Sequence, residues 1–238
     1  MIQQLKLALL KRKCKSLKLP PYICRYLSRY EHLPKLSTPW EDCRFVVFDT
    51  ETTGLDPSKD RVLSIGSVAV KQMEIRIGDC VEELVHQEDP EFTQEAIAIH
   101  GIIPSETRGG TQRRPALERF FDHLGPDLVV AHHVAFDTRM IEGMIQRLHE
   151  PQFFLYNHVI DTAQLAQVVE HPDTNPAMLD PKDYTLDALC DRYNIKQTDR
   201  HTAWGDAFIT AKLLLRFLKH FQKNEKLFVR DLLAKKMH

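Results

Sequence analysis

The sequence predicts an α/β domain built on a mixed sheet. Two observations carry that reading: three strand-like runs follow one another between residues 44 and 87 with no helical pattern between them, and from residue 91 onward helical and strand patterns alternate. The chain shows no internal repeats and no low-complexity tracts.

Residues 1–40 intersperse Leu, Ile and Tyr with basic side chains and are broken by Pro20-Pro21, Pro34 and Pro39, which permits short helices but no long one. This stretch reads as an N-terminal extension ending near Trp40, ahead of a domain over 41–221 and a C-terminal tail over 222–238. The domain opens with Arg44-Phe-Val-Val-Phe-Asp49, a run of β-branched and aromatic residues halted by a Thr/Gly/Pro-rich stretch, as expected of a buried strand. Second and third strands fit 62–70 and 74–87. Helices are expected at 91–99 and, after Pro115, at 116–124, followed by a buried strand at 128–131, a helix at 135–149 and a short strand around 157–160. Asp161-Thr-Ala-Gln164 has the capping-box form and should start a helix running to about Val169. The polar, Pro-containing stretch 171–184 reads as a loop, 186–193 as a short helix and 203–221 as a long amphipathic one.

With 238 residues, 43% of them hydrophobic and 27% charged, the chain can bury a sizeable core, and disordered, collagen-like and disulfide-dense classes are excluded. The net charge of −1 points to no partner, but it is unevenly spread. Residues 1–40 carry nine Lys or Arg against the single acid Glu31, a net of +8 that leaves −9 on the remainder. Such segregation, a basic arm on an acidic body, suggests an extension with its own partner. The five cysteines are scattered without a C-x-x-C pair, so neither a disulfide framework nor a zinc site is expected, and a reducing compartment is the simplest reading. The N-terminus runs from apolar to basic at Lys11-Arg12-Lys13, the reverse of a signal peptide, and no apolar run is long enough for a membrane span. A soluble cytoplasmic protein with no membrane partner is expected.

Asp49 and Glu51 lie two apart at the end of the first strand, so the two-residue period puts both side chains on one face. Paired carboxylates suit Mg²⁺ or Mn²⁺, which take hard oxygen ligands and keep waters for substrate to displace. A lone D-x-E triplet is ordinary surface charge in most chains; this one follows Phe45-Val-Val-Phe48 without a gap, at the carboxyl end of a strand where open sheets place ligands. Asp137 opens a helix, where an acid can also serve the helix terminus. Asp206 lies near a packed helix face between Gly205 and Ala207, where a carboxylate needs a partner or a metal, and His201 precedes it by five.

Three stretches, Val46-Val-Phe-Asp-Thr-Glu-Thr-Thr-Gly-Leu55, Ala131-His-His-Val-Ala-Phe-Asp137 and His201-Thr-Ala-Trp-Gly-Asp206, resemble in order the three exonuclease motifs of the DEDDh (DnaQ-like) family, the group that includes the DNA polymerase III epsilon proofreading subunit. The resemblance covers about residues 44–220. A sister branch carries tyrosine four residues before the last Asp; that position is Thr202 here, and the histidine branch is the match. His133 departs from the family, which usually has Asn there.

The resemblance implies a ribonuclease H-like fold and stepwise hydrolysis of phosphodiesters from a 3′ end to nucleoside 5′-monophosphates. It implies two divalent metal ions, Mg²⁺ or Mn²⁺, with Asp49, Glu51 and Asp206 on one and Asp49 and Asp137 on the other, and His201 as general base, a task for which histidine's ordinary pKa of about 6.5 is apt. By the same resemblance Thr52, Thr53, Gly54 and Leu55 cradle the terminal nucleotide, with Leu55 against the base, and His100 touches substrate. Read on its own, His100 is equally a loop histidine closing the preceding helix. Phe136 reads as core.

A proofreading or stand-alone enzyme acting on single-stranded DNA is the leading expectation, with a DNA polymerase or repair protein as candidate partner. An RNA-trimming or oligoribonuclease-type enzyme would use the same site, and a nucleic-acid-binding adaptor that keeps only the fold is a third reading, disfavoured by retention of all the acids and His201. The replicative subunit itself fits poorly, since an extension precedes the domain and only a short tail follows it. The extension's Tyr22, Tyr26 and Tyr30 recur every four residues, compatible with stacking on bases, packing against the domain or docking a protein.

Overall fold

The computed structural model describes residues 2–16, 18–88, 94–148, 153–222 and 227–233. Two helices come first, α1 (Ile2–Lys15) and α2 (Pro21–Ser28). Then β1 (Arg44–Thr52), β2 (Val62–Lys71) and β3 (Glu74–Leu84) form an antiparallel meander. Helices α3 (Gln94–His100), α4 (Pro104–Arg108) and α5 (Arg113–Leu124) lead to β4 (Leu128–Ala131) and α6 (Val134–Leu148). The chain continues through β5 (Val159–Asp161), α7 (Thr162–Glu170), α8 (Leu186–Arg192), α9 (Ala203–Gln222) and α10 (Val229–Leu232). The five strands lie in the order β3-β2-β1-β4-β5, with β4 parallel to β1 and β5 parallel to β4, so the sheet is mixed as expected.

Alternation along β1 divides the interior. Val46 and Phe48 face a cluster with α5 and α6, while Phe45 and Val47 face a second cluster with α7, α8 and α9. Continuing that period, Thr50 belongs to the α6 face and Asp49 and Glu51 to the α9 face. The start of α9 is pressed on the sheet at Gly66, which pairs with Asp49. A Cβ at Gly66 would collide with the backbone of Ala203 and Trp204, so only glycine admits the helix this close to the acids.

Several expectations need correction. The third strand ends at Leu84 rather than 87, because Val85 leaves β3 to bridge Thr111. The fifth strand is Val159–Asp161, not 157–160, since the Asn157 side chain is committed to Gly125 O and Asp127 O and holds that residue outside the ladder. Residues 91–93 of the expected 91–99 helix, and His149, lie outside the described residues. Two single-turn 3-10 segments interrupt the expected 171–184 loop.

The extension differs most. Its first helix is 14 residues long, because the first proline comes only at Pro20. Leu10, Tyr22, Ile23, Tyr26 and Leu27 are buried in the same cluster as α5 and α6. Arg25 pairs with Glu118 and Asp122, and Arg29 with Asp122, on α5. Tyr22 and Tyr26 therefore pack inward rather than offering faces to bases. Cys14 and Cys24 form a disulfide with Cα atoms 5.6 Å apart, contrary to the expectation of none: the α1–α2 hairpin joins two cysteines whose spacing matches no motif. Part of the tail is also integrated, as Val229 N donates to Thr38 O and Val229 and Leu232 are buried.

Candidate active site

Carboxylate oxygens of Asp49, Glu51 and Asp206 all lie within 4.8 Å of one another. β1 supplies the first two on its α9 face, and the first turn of α9, seated over Gly66, supplies the third. Asp137, 3% exposed, stands in the first turn of α6. Its Oδ1 accepts from Thr50 N at 3.0 Å and Thr50 Oγ1 at 2.7 Å. Thr50 points to the α6 face because it sits between Asp49 and Glu51, so the strand that carries two acids also anchors Asp137 of the second motif.

Crowding these groups out of water opposes ionisation. Asp49 is pushed well above the carboxylate range by burial, then by Asp137, Asp206 and Glu51. Burial, reinforced by Asp206, pushes Glu51 up to about 7, and burial pushes Asp137 up to about 7 against the Thr50 hydrogen bonds. Asp206 is raised by burial, with Arg200 opposing the shift. Four clustered carboxylates that resist ionising together form an oxygen-only donor set that fits hard divalent cations, whose charge would favour the ionised forms.

Arg200 carries no role in the sequence reading. Its Nη1 donates to Asp206 Oδ2, and its Nε donates to Asp187 Oδ1 at 2.7 Å. His201 N reaches Asp206 Oδ1 at 3.4 Å, and Arg200 Nη1 lies 3.3 Å from His201 Nδ1. A guanidinium can only donate, so Nδ1 accepts and a neutral ring carries its proton on Nε2. His201 adopts φ 63°, in the left-handed region, immediately before α9. The signal for Arg200 was its place beside His201, but an adjacent cation reads as surface charge until the fold is known.

Asp161 is a second residue with a larger part than its motif showed. It caps α7 through Ala163 N at 2.9 Å, as expected of the capping Asp, and its carboxylate also accepts from His133 N and Val134 N at 3.2 Å. It thus fixes the start of α6, three residues before Asp137. His133, with φ 60°, is exposed, while the buried His132 bonds Thr162 Oγ1 and is lowered by burial to about 3. Phe136 packs partly buried against the core, as expected.

The 52–55 turn is built differently from expectation. Thr52 Oγ1 donates to Gly54 O at 2.7 Å and Thr53 Oγ1 to Asp60 Oδ1 at 2.8 Å, so both hydroxyls are committed inside the turn. What the turn presents outward is Leu55, 84% exposed. His100 closes α3, as its loop reading has it: Nδ1 accepts from Ile102 N at 3.0 Å, and the ring also hydrogen-bonds the Thr52 backbone beside the acids.

The chain belongs to the exonuclease family of the RNase T type, whose model matches residues 46–214. That places the three motifs among the DnaQ-like exonucleases. Among curated relatives, the PolC-type DNA polymerase III of Bacillus subtilis is 31% identical over 179 residues, covering 75% of this chain, and that of Halalkalibacterium halodurans is 29% identical over 197 residues, covering 83%. The chain spans 12% of the length of either relative. In structure it is similar to E. coli exonuclease I in complex with a dT13 oligonucleotide, with TM-score 0.63 and 19% identity over 76% of this chain and 42% of the other. That likeness establishes the shared ribonuclease H-like fold.

Proposed function

We propose that the chain is a metal-dependent exonuclease that removes nucleotides from a 3′ end as nucleoside 5′-monophosphates, with single-stranded DNA as its substrate. The observation that carries this reading is the convergence of Asp49, Glu51 and Asp206 within 4.8 Å, with Asp137 clamped to the same strand by Thr50. Asp49, Glu51 and Asp206 would hold one Mg²⁺ or Mn²⁺, and Asp49 and Asp137 a second. Ions held there would supply Lewis-acid stabilisation of the charge that develops on the attacking and leaving oxygens.

The chain's own groups do the rest. His201 serves as general base through Nδ1, whose lone pair accepts from Arg200 Nη1 in the observed arrangement, so the ring gives up that contact before it takes a proton. Leu55 packs against the terminal base, and the 52–54 backbone approaches its sugar and phosphate. The dT13 strand bound to the E. coli structural relative supports single-stranded DNA as substrate, and the PolC-type relatives make a DNA polymerase the candidate partner. Thr52, Thr53 and Gly54 act here as the frame of the cradle.

The test is hydrolysis of single-stranded DNA, duplex DNA with a 3′ mismatch and short RNA, side by side with Mg²⁺ or Mn²⁺. Preferred cleavage of single-stranded DNA to 5′-mononucleotides is expected. Preference for short RNA would assign an RNA-trimming enzyme, and binding without cleavage of any substrate would assign an adaptor.

A further inference from the structure

Beyond the 52–55 turn, three arginines from separate elements converge on the segment that joins β1 to β2. Arg147, on α6, donates to Pro57 O at 3.1 Å and Asp60 O at 3.0 Å. Arg61 lies within the segment, its N bonded to Thr53 Oγ1 and its carbonyl accepting from Thr53 N. Arg113, which opens α5, donates to Gln87 Oε1 at 3.0 Å, and Gln87 in turn donates to Val62 O at 2.8 Å. Helix α6 reaches the segment because Gly143, one turn before Arg147, has no side chain; a Cβ there would stand 3.1 Å from Pro57 O.

These arginines differ from those that the fold engages in ion pairs. Arg25, Arg29, Arg44, Arg119, Arg192 and Arg200 each pair with a carboxylate. Among the described residues no carboxylate forms an ion pair with Arg61, Arg113 or Arg147, whose acceptors are neutral carbonyl and amide oxygens. The nearby Asp60 spends its carboxylate on Thr53 Oγ1 and Asp56 N. The three are close enough that burial, then Arg61 and Arg113, lower the Arg147 pKa. Gathering three cations around the single nearby carboxylate of Asp60, which only partly offsets them, is unfavourable for the protein alone and becomes more favourable when an anion arrives.

We propose that Arg61, Arg113 and Arg147 form a ledge that binds backbone phosphates of the nucleic-acid strand behind its 3′-terminal nucleotide. The ledge adjoins the cradle directly, through the Thr53–Arg61 backbone pair. It lies about 15 Å along α6 from Asp137, at 1.5 Å per residue, so it reads phosphates upstream of the one being cut. Such contacts position the strand without reading sequence. The inference rests on the exonuclease reading for the direction of the strand.

The experiment compares the wild type with R61Q, R113Q, R147Q and the triple variant in two measurements. The first is hydrolysis of the p-nitrophenyl ester of thymidine 5′-monophosphate, which fills the site without reaching the ledge. The second is oligothymidylate binding in Ca²⁺ across a salt series. For the triple variant we expect affinity to fall by about tenfold or more and the salt slope to flatten by about 2, at ~0.7 per lost phosphate contact, with ester hydrolysis unchanged. R147K and R61K should keep most of the slope. Unchanged oligonucleotide affinity and slope would overturn the ledge. So would loss of ester hydrolysis in R147Q matching its loss of binding, which would make Arg147 a brace of the turn. If the wild type cleaves neither ester nor oligonucleotide, the exonuclease reading fails, while the salt slopes still decide whether the three arginines bind a polyanion.

Discussion

Arg200 reaches Asp206 with one arm of its guanidinium while Asp187 holds the other end, so a cation native to the chain sits on one of the proposed metal ligands. A bound metal and Arg200 compete for the same carboxylate, and the arginine's positive charge also opposes cation entry. Arg200→Gln should therefore tighten Mg²⁺ or Mn²⁺ binding several-fold by calorimetry. It should also lower the melting temperature in EDTA, because the acids lose the cation that pairs with Asp206. Weaker metal binding in this variant would show that Arg200 supports the ligands rather than competing for them.

Asp49→Ala and Asp206→Ala should both abolish hydrolysis, yet differ in stability. Asp49 is half-buried among like charges, so its removal relieves repulsion and should leave metal-free stability unchanged or raised. Asp206 is the carboxylate beneath Arg200, and its loss leaves Nη1 without that acceptor, at about 2 kcal/mol. Urea unfolding in EDTA separates the two. Near wild-type hydrolysis by either variant, with metal supplied, would sink the two-metal mechanism.

Metal-free stability should fall as pH rises from about 4 to about 7. Burial raises Glu51 and Asp137 to about 7 in the folded chain, above the ordinary carboxylate values that apply when it is unfolded. Between those values the folded state binds more protons than the unfolded state, so unfolding becomes easier with each step up in pH and levels off above the folded values. Thermal melts in EDTA across this range should show the decline, Glu51→Gln should flatten part of it, and Mg²⁺ should offset it near neutrality. A stability that climbs through the same range in Glu51→Gln and wild type alike would reject the shared origin.

His201→Ala should lower turnover by about 10²–10⁴-fold, the usual worth of a positioned base, while calorimetric metal affinity changes little. An activity profile that keeps its acidic limb in the variant would remove His201 from that role.

Much of this site was legible because its parts are local. The alternation of Phe45, Val47, Asp49 and Glu51 puts the acids on one face without further information, and the spacing of His201 and Asp206 survives in any helix start. What was hidden depends on residues far apart in sequence. Thr50 gains its role from Asp137, 87 residues away, and Arg200 from Asp187 and Asp206 once α8 and α9 are packed. The place of the extension stayed undecided for a related reason: tyrosines every fourth residue mark a helix face but not what that face meets. The Cys14–Cys24 pair likewise exists only once α1 and α2 fold back on each other.

The extension's place in the core yields the last test. Tyr26 OH donates to Asn157 Oδ1 at 2.7 Å and accepts from Tyr156 N at 2.7 Å. Asn157 Nδ2 in turn donates to Gly125 O and Asp127 O, so the network ties α2 to the turn that leads from α5 into β4. The ring itself packs on Phe121, with centroids 4.7 Å apart. Tyr26→Phe keeps that packing and removes only the hydroxyl, leaving a buried amide N–H and a buried amide oxygen without their shared partner, at about 1–3 kcal/mol. For a chain of this size that lowers the melting temperature by about 2–4 °C per kcal/mol. Tyr30, half-buried and edge-on to Tyr156, makes a control: Tyr30→Phe should be nearly silent. Hydrolysis at saturating substrate should be unchanged in both, because neither tyrosine touches the acids or His201. A Tyr26→Phe protein as stable as the wild type would mean that the extension is an appendage after all, resting on the domain without being part of its fold.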